Sequence, residues 1–382
     1  MVKIFVTGDD HFGKKYDRYP AIKDILIDSR FEVLKDMVDK AEKESCGLFV
    51  VTGDLFDNIN NIKVSDVKQV VEILDAFSGS VIVLPGNHDY YTGEEKIWKD
   101  FNAALSALSD HNITLITEFR PYSFDSGDDR IMVYPAYCDT KRSKENKLGW
   151  IRSAEIQKDG IINIGLAHGA IKGVTPDLRE EYFLMTEEEL MDIPVDAWLI
   201  GHTHIPYPSV LKEDEDTAGY KIFNAGTHEQ TDFHNNTEGN GFIITIDKQG
   251  TAAKVLARKY VSGRIHFYDL NVVVKPDSDT ALADAVGKAV EGIDRKSVVR
   301  IRVSGSIRQI EYNDRKKIYD AVLAGFLSHE IEDDELSEEI TIDKIHTEYA
   351  ETSFAARFLE KLIDDPIELQ MAYQLLQNCR EN

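Results

Sequence analysis

Residues 200–206 read IGHTHIP, with His202 and His204 two positions apart in an apolar setting. In an extended chain, side chains two apart point the same way, so both imidazoles face one space at the end of a strand. That geometry suits a metal, and it equally suits a polar surface turn. The rest of the chain has to decide. Four further stretches carry metal-binding side chains just past an apolar run: GDDH (Asp9, His11), GDLFD (Asp54, Asp57), GNHD (Asn87, His88, Asp89) and LAHG (His168). Each alone reads as turn chemistry or a satisfied core histidine. Together, each after a predicted strand, they point to a metal centre.

Up to about residue 265, short apolar runs alternate with amphipathic stretches, the pattern of a layered α/β domain. KIFVTG, GLFVVTG, SVIVLPG, RIMVYP, NIGLAHG and AWLIGH are the predicted strands. Helical spacing runs through 29–44, with Phe31, Leu34, Met37, Val38 and Ala41 on one face, and through 64–77. Between 212 and 262, YKIFNAGTHEQ and NGFIITIDKQGTAAKVLARKYV predict antiparallel strands completing a second sheet.

A second unit begins near His266. FYDLNVVV reads as a strand, TALADAVGKAVEGI as a helix, SVVRIRVSG as a strand with Arg300 and Arg302 on one face, NDRKKIYDAVLAGFL as a helix and ITI as a short strand. EIEDDELSEE at 330–339 reads as a solvated loop or helix end. The chain closes with a predicted helix pair: SFAARFLEKLI, carrying Phe354, Phe358, Leu359, Leu362 and Ile363 on one face, and IELQMAYQLLQN after Pro366. The expected organisation is a catalytic domain at 1–265, an α/β cap at 266–345 and a helical segment at 346–382.

The 382 residues are 42% hydrophobic and 29% charged, ordinary for a soluble enzyme. No apolar run approaches the ~18 residues of a membrane span, and MVKIFVTG lacks the apolar core of a secretory signal, so a cytoplasmic protein that avoids membranes is expected. Cys46, Cys138 and Cys379 are too few and too far apart for a disulfide framework or a cysteine metal site. With 44 basic against 68 acidic residues, the net charge of −24 disfavours loose binding to nucleic acid. Such binding needs local patches or a partner. Lys14, Lys15 and Arg18, then Lys141, Arg142, Lys144 and Lys147, are patches of this kind, and Tyr90 and Tyr91 are available to stack on an exposed base.

The ordered set D-x-H, G-D-x-x-D, G-N-H-D, H and G-H-x-H resembles that of the calcineurin-like metallophosphoesterases, over residues 1 to about 260. The resemblance implies a four-layer sandwich, two central mixed sheets flanked by helices, to which the small α/β cap and the C-terminal helix pair are added. It implies that Asp9, His11 and His204 hold one divalent ion, that Asn87, His168 and His202 hold a second, and that Asp54 bridges them. Two cations ~3.5–4 Å apart clamp a phosphoryl oxygen and share a hydroxide that attacks phosphorus in line. Mixed imidazole, carboxylate and amide ligands favour Mn, Fe or Zn over Mg or Ca, and the resemblance implies Mn²⁺. His88 matches the family's histidine that stabilises the transition state and protonates the leaving oxygen, with Asp89 as its orienting partner and Asp57 as a supporting residue.

GDDHFG followed by a helix bearing Arg30, GDLFD, and NAGTHEQTDF at 224–233 resemble the DNA-repair exonuclease branch, typified by the nuclease subunit of the SbcCD complex. That resemblance implies exonuclease or endonuclease action on DNA ends in double-strand-break repair. It also implies a cap that presents DNA and C-terminal helices that dock on the coiled-coil base of an SbcC-like ATPase, and it is compatible with a homodimer. GHTHIP departs from the branch in lacking a basic residue after its second histidine. Two other readings stay open: a small-molecule phosphodiesterase or phosphatase using the cap as a lid, which suits the acidic surface, and a non-catalytic scaffold, against which the complete ligand set argues.

Overall fold

In the first strand, β1 (Val2–Thr7), Val2, Ile4 and Val6 face one apolar layer and Phe5 another. A strand covered on both faces requires apolar residues at successive positions, here Ile4, Phe5 and Val6. After α1 (Lys23–Lys43), β2 (Leu48–Val51) divides the same way, Leu48 and Val50 siding with Ile4, and Phe49 and Val51 with Phe5. After α2 (Val64–Asp75), β3 (Ser80–Val83) repeats the pattern. The computed structural model describes residues 1–175, 177, 179–234, 237–276 and 278–381, and divides into two units, Met1–Phe267 and Tyr268–Asn382.

The first unit continues with α3 (Lys96–Ser106), β4 (Ile113–Leu115), β5 (Tyr122–Ser126), β6 (Asp129–Ala136), α4 (Gly149–Ser153), β7 (Ile161–His168), α5 (Glu187–Asp192) and β8 (Ala197–Gly201). It ends with β9 (Thr217–Ala218), β10 (Ile222–Asn224), β11 (Asn240–Gln249) and β12 (Ala252–Val261). One sheet has the order β4-β3-β2-β1-β11-β12-β9 and the other β10-β8-β7-β6-β5. Strands β1 to β4 run parallel, as do β6, β7, β8 and β10. Val2, Ile4 and Val6 of the first sheet meet Ile164, Leu166 and Leu199 of the second in one core. Helices α1 to α3 cover the outer face of the first sheet, α4 and α5 that of the second. The expected four-layer sandwich of mixed sheets therefore forms.

Two local expectations are corrected. The β11–β12 hairpin joins the first sheet rather than the second, with Ile4 opposite Ile244 and Val6 opposite Phe242, and only β10 adds to the second. Alternation tells which side chains are inward, not which strand is the neighbour. Helix α1 starts at Lys23 rather than Ser29, adding Leu26 to its buried face; Arg30 is buried there too.

In the second unit β13 (Phe267–Val274), α6 (Ala281–Ala289), β14 (Val298–Ile307), α7 (Gln309–Val322) and β15 (Ser328–Glu338) form a sheet β13-β14-β15 with both helices on one face. The acidic run read as a loop is thus strand β15. Its Glu330 and Glu332 sit opposite Arg300 and Arg302 of β14, with ion pairs of 3.1 and 2.7 Å, and this pairing lets an edge strand carry so many carboxylates. ITI is not a strand: the Thr341 hydroxyl accepts the Lys344 N–H and caps α8 (Ile342–Glu348). Helices α9 (Phe354–Lys361) and α10 (Pro366–Glu381) follow, and Leu359 and Leu369 bury with Ile345. The predicted stripe on α9 splits, because Phe354 and Phe358 remain 79% and 39% exposed and stack on one another. Among the described residues, no helix is long and apolar enough to cross a membrane.

Candidate metal centre

Parallel strands bring their C-terminal ends to one edge of each sheet, and every predicted ligand lies there. Asp9 and His11 follow β1, Asp54 and Asp57 follow β2, Asn87, His88 and Asp89 follow β3, His168 ends β7, and His202 and His204 follow β8. The face-to-face packing of the sheets brings these ends together. Asp9, His11 and His204 offer ligand atoms within 4.8 Å of one another, as do Asp54, His168 and His202, and as do His11, Asp57 and His88. Asn87 completes the second group: its Oδ1 is 3.0 Å from His168 Nε2 and 2.8 Å from His202 Nδ1. Asp54 lies between the groups, its Oδ2 3.8 Å from His11 Nε2 and 3.5 Å from His168 Nε2.

The backbone is bent to make this possible. Asp9, His11, Asp54 and His202 all have positive φ (52°, 45°, 51° and 103°), a region that non-glycine residues rarely enter. Gly53 and Gly86 supply the room: a Cβ on the first would overlap the His168 ring, and on the second the Asp54 carboxylate. Carbonyl oxygens set the tautomers. His168 Nδ1 donates to Thr52 O at 2.9 Å, leaving Nε2 free for a metal. His88 Nδ1 likewise donates to Asp57 O at 2.9 Å, and its backbone N–H reaches Asp54 Oδ1 at 2.8 Å.

The role expected of Asp89 is corrected here. Its carboxylate accepts the backbone N–H groups of Phe56 (3.0 Å) and Gly86 (2.6 Å), so it holds two loops in place; the group that orients His88 is the Asp57 carbonyl. The Asp57 side chain instead approaches His11 Nδ1, at 3.6 Å. Tyr91, expected to be available for stacking, is partly buried against two of the cores of the first unit. Lys147 is spent on Asp139 at 2.8 Å. Arg142 sits 5.7 Å over the Tyr182 ring, which lies 5.0 Å from the His202 ring. Linear reading gave no role to Asp10, Thr227 and His228, which form a buried polar layer with Arg30 behind the first loop.

Burial is the largest influence on Asp9, His11, Asp54, Asp89, His168, His202 and His204. It lowers His11, takes His202 down to about 3 and His204 to about 4, and raises Asp9. It opposes the shifts of two others: Asp54 is nevertheless held well below the usual carboxylate range by His168, His11 and His88, and His168 is raised to about 9 by Asp54 and Asp9. Asp89 is pushed up to about 7 by burial and then by Asp54. Neutral imidazoles at His11, His202 and His204 beside the ionised Asp54, with His168 ready to exchange its proton for a cation, are a donor set that fits two transition-metal ions, and His11 Nδ1 is buried without a hydrogen-bond partner among the described residues.

These shifts predict how the chelated protein responds to pH. Unfolded imidazoles titrate near ~6.5 and aspartates near ~3.9. The stability contributed by His202 and His204 is therefore present above pH ~6.5 and lost as pH falls through about 4 and 3. That from His168 is present below pH ~6.5 and lost as pH rises through about 9, and that from Asp89 is lost as pH rises through about 7. The metal-free protein should melt highest near pH ~6, with cations flattening the alkaline limb by replacing the His168 proton. Calorimetry of chelated protein checks this, and a melting temperature still climbing at alkaline pH would contradict it.

A family model described as calcineurin-like phosphoesterase matches residues 2–206. A Bacillus subtilis (strain 168) protein, the uncharacterized metallophosphoesterase YhaO, is 26% identical over 184 residues, which is 47% of this chain and 42% of that protein. The match thus spans less than half of that relative's length. Among solved structures, the calcineurin-like phosphoesterase YfkN from Bacillus subtilis is 13% identical with a TM-score of 0.37, covering 68% of this chain and 90% of that one. A dimetal phosphatase from Danio rerio is 13% identical with a TM-score of 0.38, covering 68% and 99%.

Proposed function

The chain belongs to the calcineurin-like phosphoesterase family, and from that premise we propose that it is a dinuclear-metal phosphodiesterase acting on DNA ends. The observation that carries the phosphodiesterase reading is the convergence of Asp9, His11, Asp54, Asn87, His168, His202 and His204 from two sheets onto one point, with the His88 ring 4.8 Å from that of His11. Asp9, His11 and His204 would hold one ion, Asn87, His168 and His202 the other, and Asp54 both. Two such cations, Mn, Fe or Zn by the donor set and Mn²⁺ by the family resemblance, would supply charge neutralisation at a phosphoryl group and an activated water for in-line displacement. His88, with Nδ1 fixed on Asp57 O, has Nε2 as the nitrogen that delivers a proton to the leaving oxygen as its bond to phosphorus breaks.

DNA as substrate is supported by the likeness of GDDHFG, GDLFD and NAGTHEQTDF to the repair exonucleases. It is supported also by cations near the centre: Lys14, three residues after His11, and Arg142, over the ring that packs on His202. The deciding experiment is Mn²⁺-supported digestion of linear duplex and single-stranded DNA beside a chromogenic phosphodiester. Degradation of DNA is expected. Hydrolysis of the diester with both DNAs untouched would instead favour a small phosphodiester, which the net charge of −24 suits.

A coiled-coil ATPase of the SbcC type is the proposed partner, and it would supply DNA-binding charge that this acidic chain lacks. Phe354 and Phe358, stacked with centroids 5.7 Å apart outside the small core of α8 to α10, are the apolar surface offered to it. Replacing both by Ser is expected to leave hydrolysis of a small diester unchanged and to abolish co-purification with the ATPase. Full-strength binding by the double variant would refute the docking assignment.

A further inference from the structure

Arg30 is among the largest fully buried side chains of the protein, 2% exposed on the inward face of α1, where an aliphatic residue would pack without the cost of desolvating a cation. Its guanidinium explains itself by what it grips. Nε donates to the carbonyl of Asp10 at 3.1 Å and Nη2 makes a short bond to the same oxygen. Nη1 reaches Tyr16 Oη at 3.1 Å and the Glu229 carbonyl at 3.5 Å. Asp10 is the residue between Asp9 and His11, and its own carboxylate turns away from the centre, accepting the Thr7 hydroxyl at 3.0 Å and facing His228 Nδ1 at 3.0 Å. One residue earlier, the Asp9 carbonyl accepts the Thr227 hydroxyl at 2.9 Å.

Asp9 and His11 both lie in the left-handed region, which persists only where the surroundings over-determine it. The two carbonyls in question belong to the peptide units that connect them. We propose that Arg30 is a positioning residue for the ion held by Asp9, His11 and His204: with Thr227 it locks the 9–11 backbone so that a carboxylate and an imidazole two residues apart converge on one point. The ion held by Asn87, His168 and His202 takes no ligand from this loop, which reaches that set only through the His202 N–H on the Asp9 carboxylate and the His11 N–H on the Asp54 carbonyl, so the larger effect falls on the first ion. The fork of the guanidinium is what the position requires, since one oxygen takes two donors while a third donor ties the loop to Tyr16. The proposal rests on the dinuclear reading above.

The test is a Mn²⁺ titration of chelator-stripped protein by calorimetry, comparing wild type with Arg30→Gln, Arg30→Lys and Thr227→Val. Wild type is expected to bind two ions. Arg30→Gln should weaken one of them by about ten- to a hundredfold, the scale for losing a group that orients ligands, and leave the other within a few-fold. Arg30→Lys, which keeps the charge and one donor, should recover part of that loss, and Thr227→Val should shift the same ion by a smaller factor. Arg30 is also a cation close to the ions, and if its charge alone mattered Arg30→Gln would tighten binding. Tightening, or two ions bound as in wild type, overturns the proposal. Should Arg30→Gln fail to fold, Thr227→Val decides, because it removes a single hydroxyl: wild-type binding by the folded variant overturns the proposal equally. Absence of two-ion binding in wild type would instead strike at the dinuclear reading itself.

Discussion

Asp54→Asn is expected to abolish phosphodiester hydrolysis, by on the order of a thousandfold or more, while the protein stays folded. The carboxylate is fully buried, and its Oδ2 lies between His11 and His168, the nearest imidazoles of the two ligand groups. A carboxylate held ionised can give a lone pair to each of two cations, whereas a neutral amide donates poorly to both at once. The fold survives because an amide oxygen can still accept the His88 N–H that Asp54 Oδ1 accepts, and the loop's own backbone bond, from His11 N to Asp54 O at 2.9 Å, does not use the side chain. Activity and metal content measured together test this. Substantial turnover with two ions bound would refute the shared-ligand assignment.

His88→Ala should behave differently in kind. Metal content is expected to stay near wild type while turnover falls by about two to four orders of magnitude, the range for losing a proton donor or charge stabiliser. The geometry separates His88 from the ligand groups through its Nδ1, which is committed to the Asp57 carbonyl, while its ring meets that of His11 edge-on at 4.8 Å. A substrate with a good leaving group needs less protonation and should lose less, so a nitrophenyl ester ought to suffer a smaller drop than an alkyl ester. Loss of an ion in this variant would make His88 a ligand, in line with its proximity to His11 and Asp57.

The candidate ligands were legible because each lies at or just past the end of a strand whose apolar run is visible in one dimension. Once β1, β2 and β3 are read as parallel strands of one sheet and β7 and β8 as parallel strands of another, the residues at or just past their ends belong to one edge of each. The part played by Asp89 was not legible in the same way. Adjacent numbering suggested that it orients His88, but the side chains of neighbouring residues in a tight turn point in different directions, and its oxygens went to Phe56 and Gly86. The acidic strand β15 was hidden for a related reason: its charges looked solvated until the arginines of β14 were placed opposite them.

The sequence by itself therefore determined the layered α/β class, the residues that converge on the centre and their division among strand ends, since these depend on periodicity and on local turns. Tertiary structure alone decided three things. It seated the β11–β12 hairpin beside β1, because strand pairing is chosen by what the opposite face must cover and not by alternation. It made the Asp57 carbonyl, a backbone atom no side-chain motif can announce, the partner of His88. And it set Arg30 and Thr227 against the 9–11 loop, because bonds between residues about twenty and more than two hundred positions apart exist only once helix, sheet and loop have packed, where the hydrogen bonds of a buried cation offset part of the cost of its desolvation and hold a strained backbone in place.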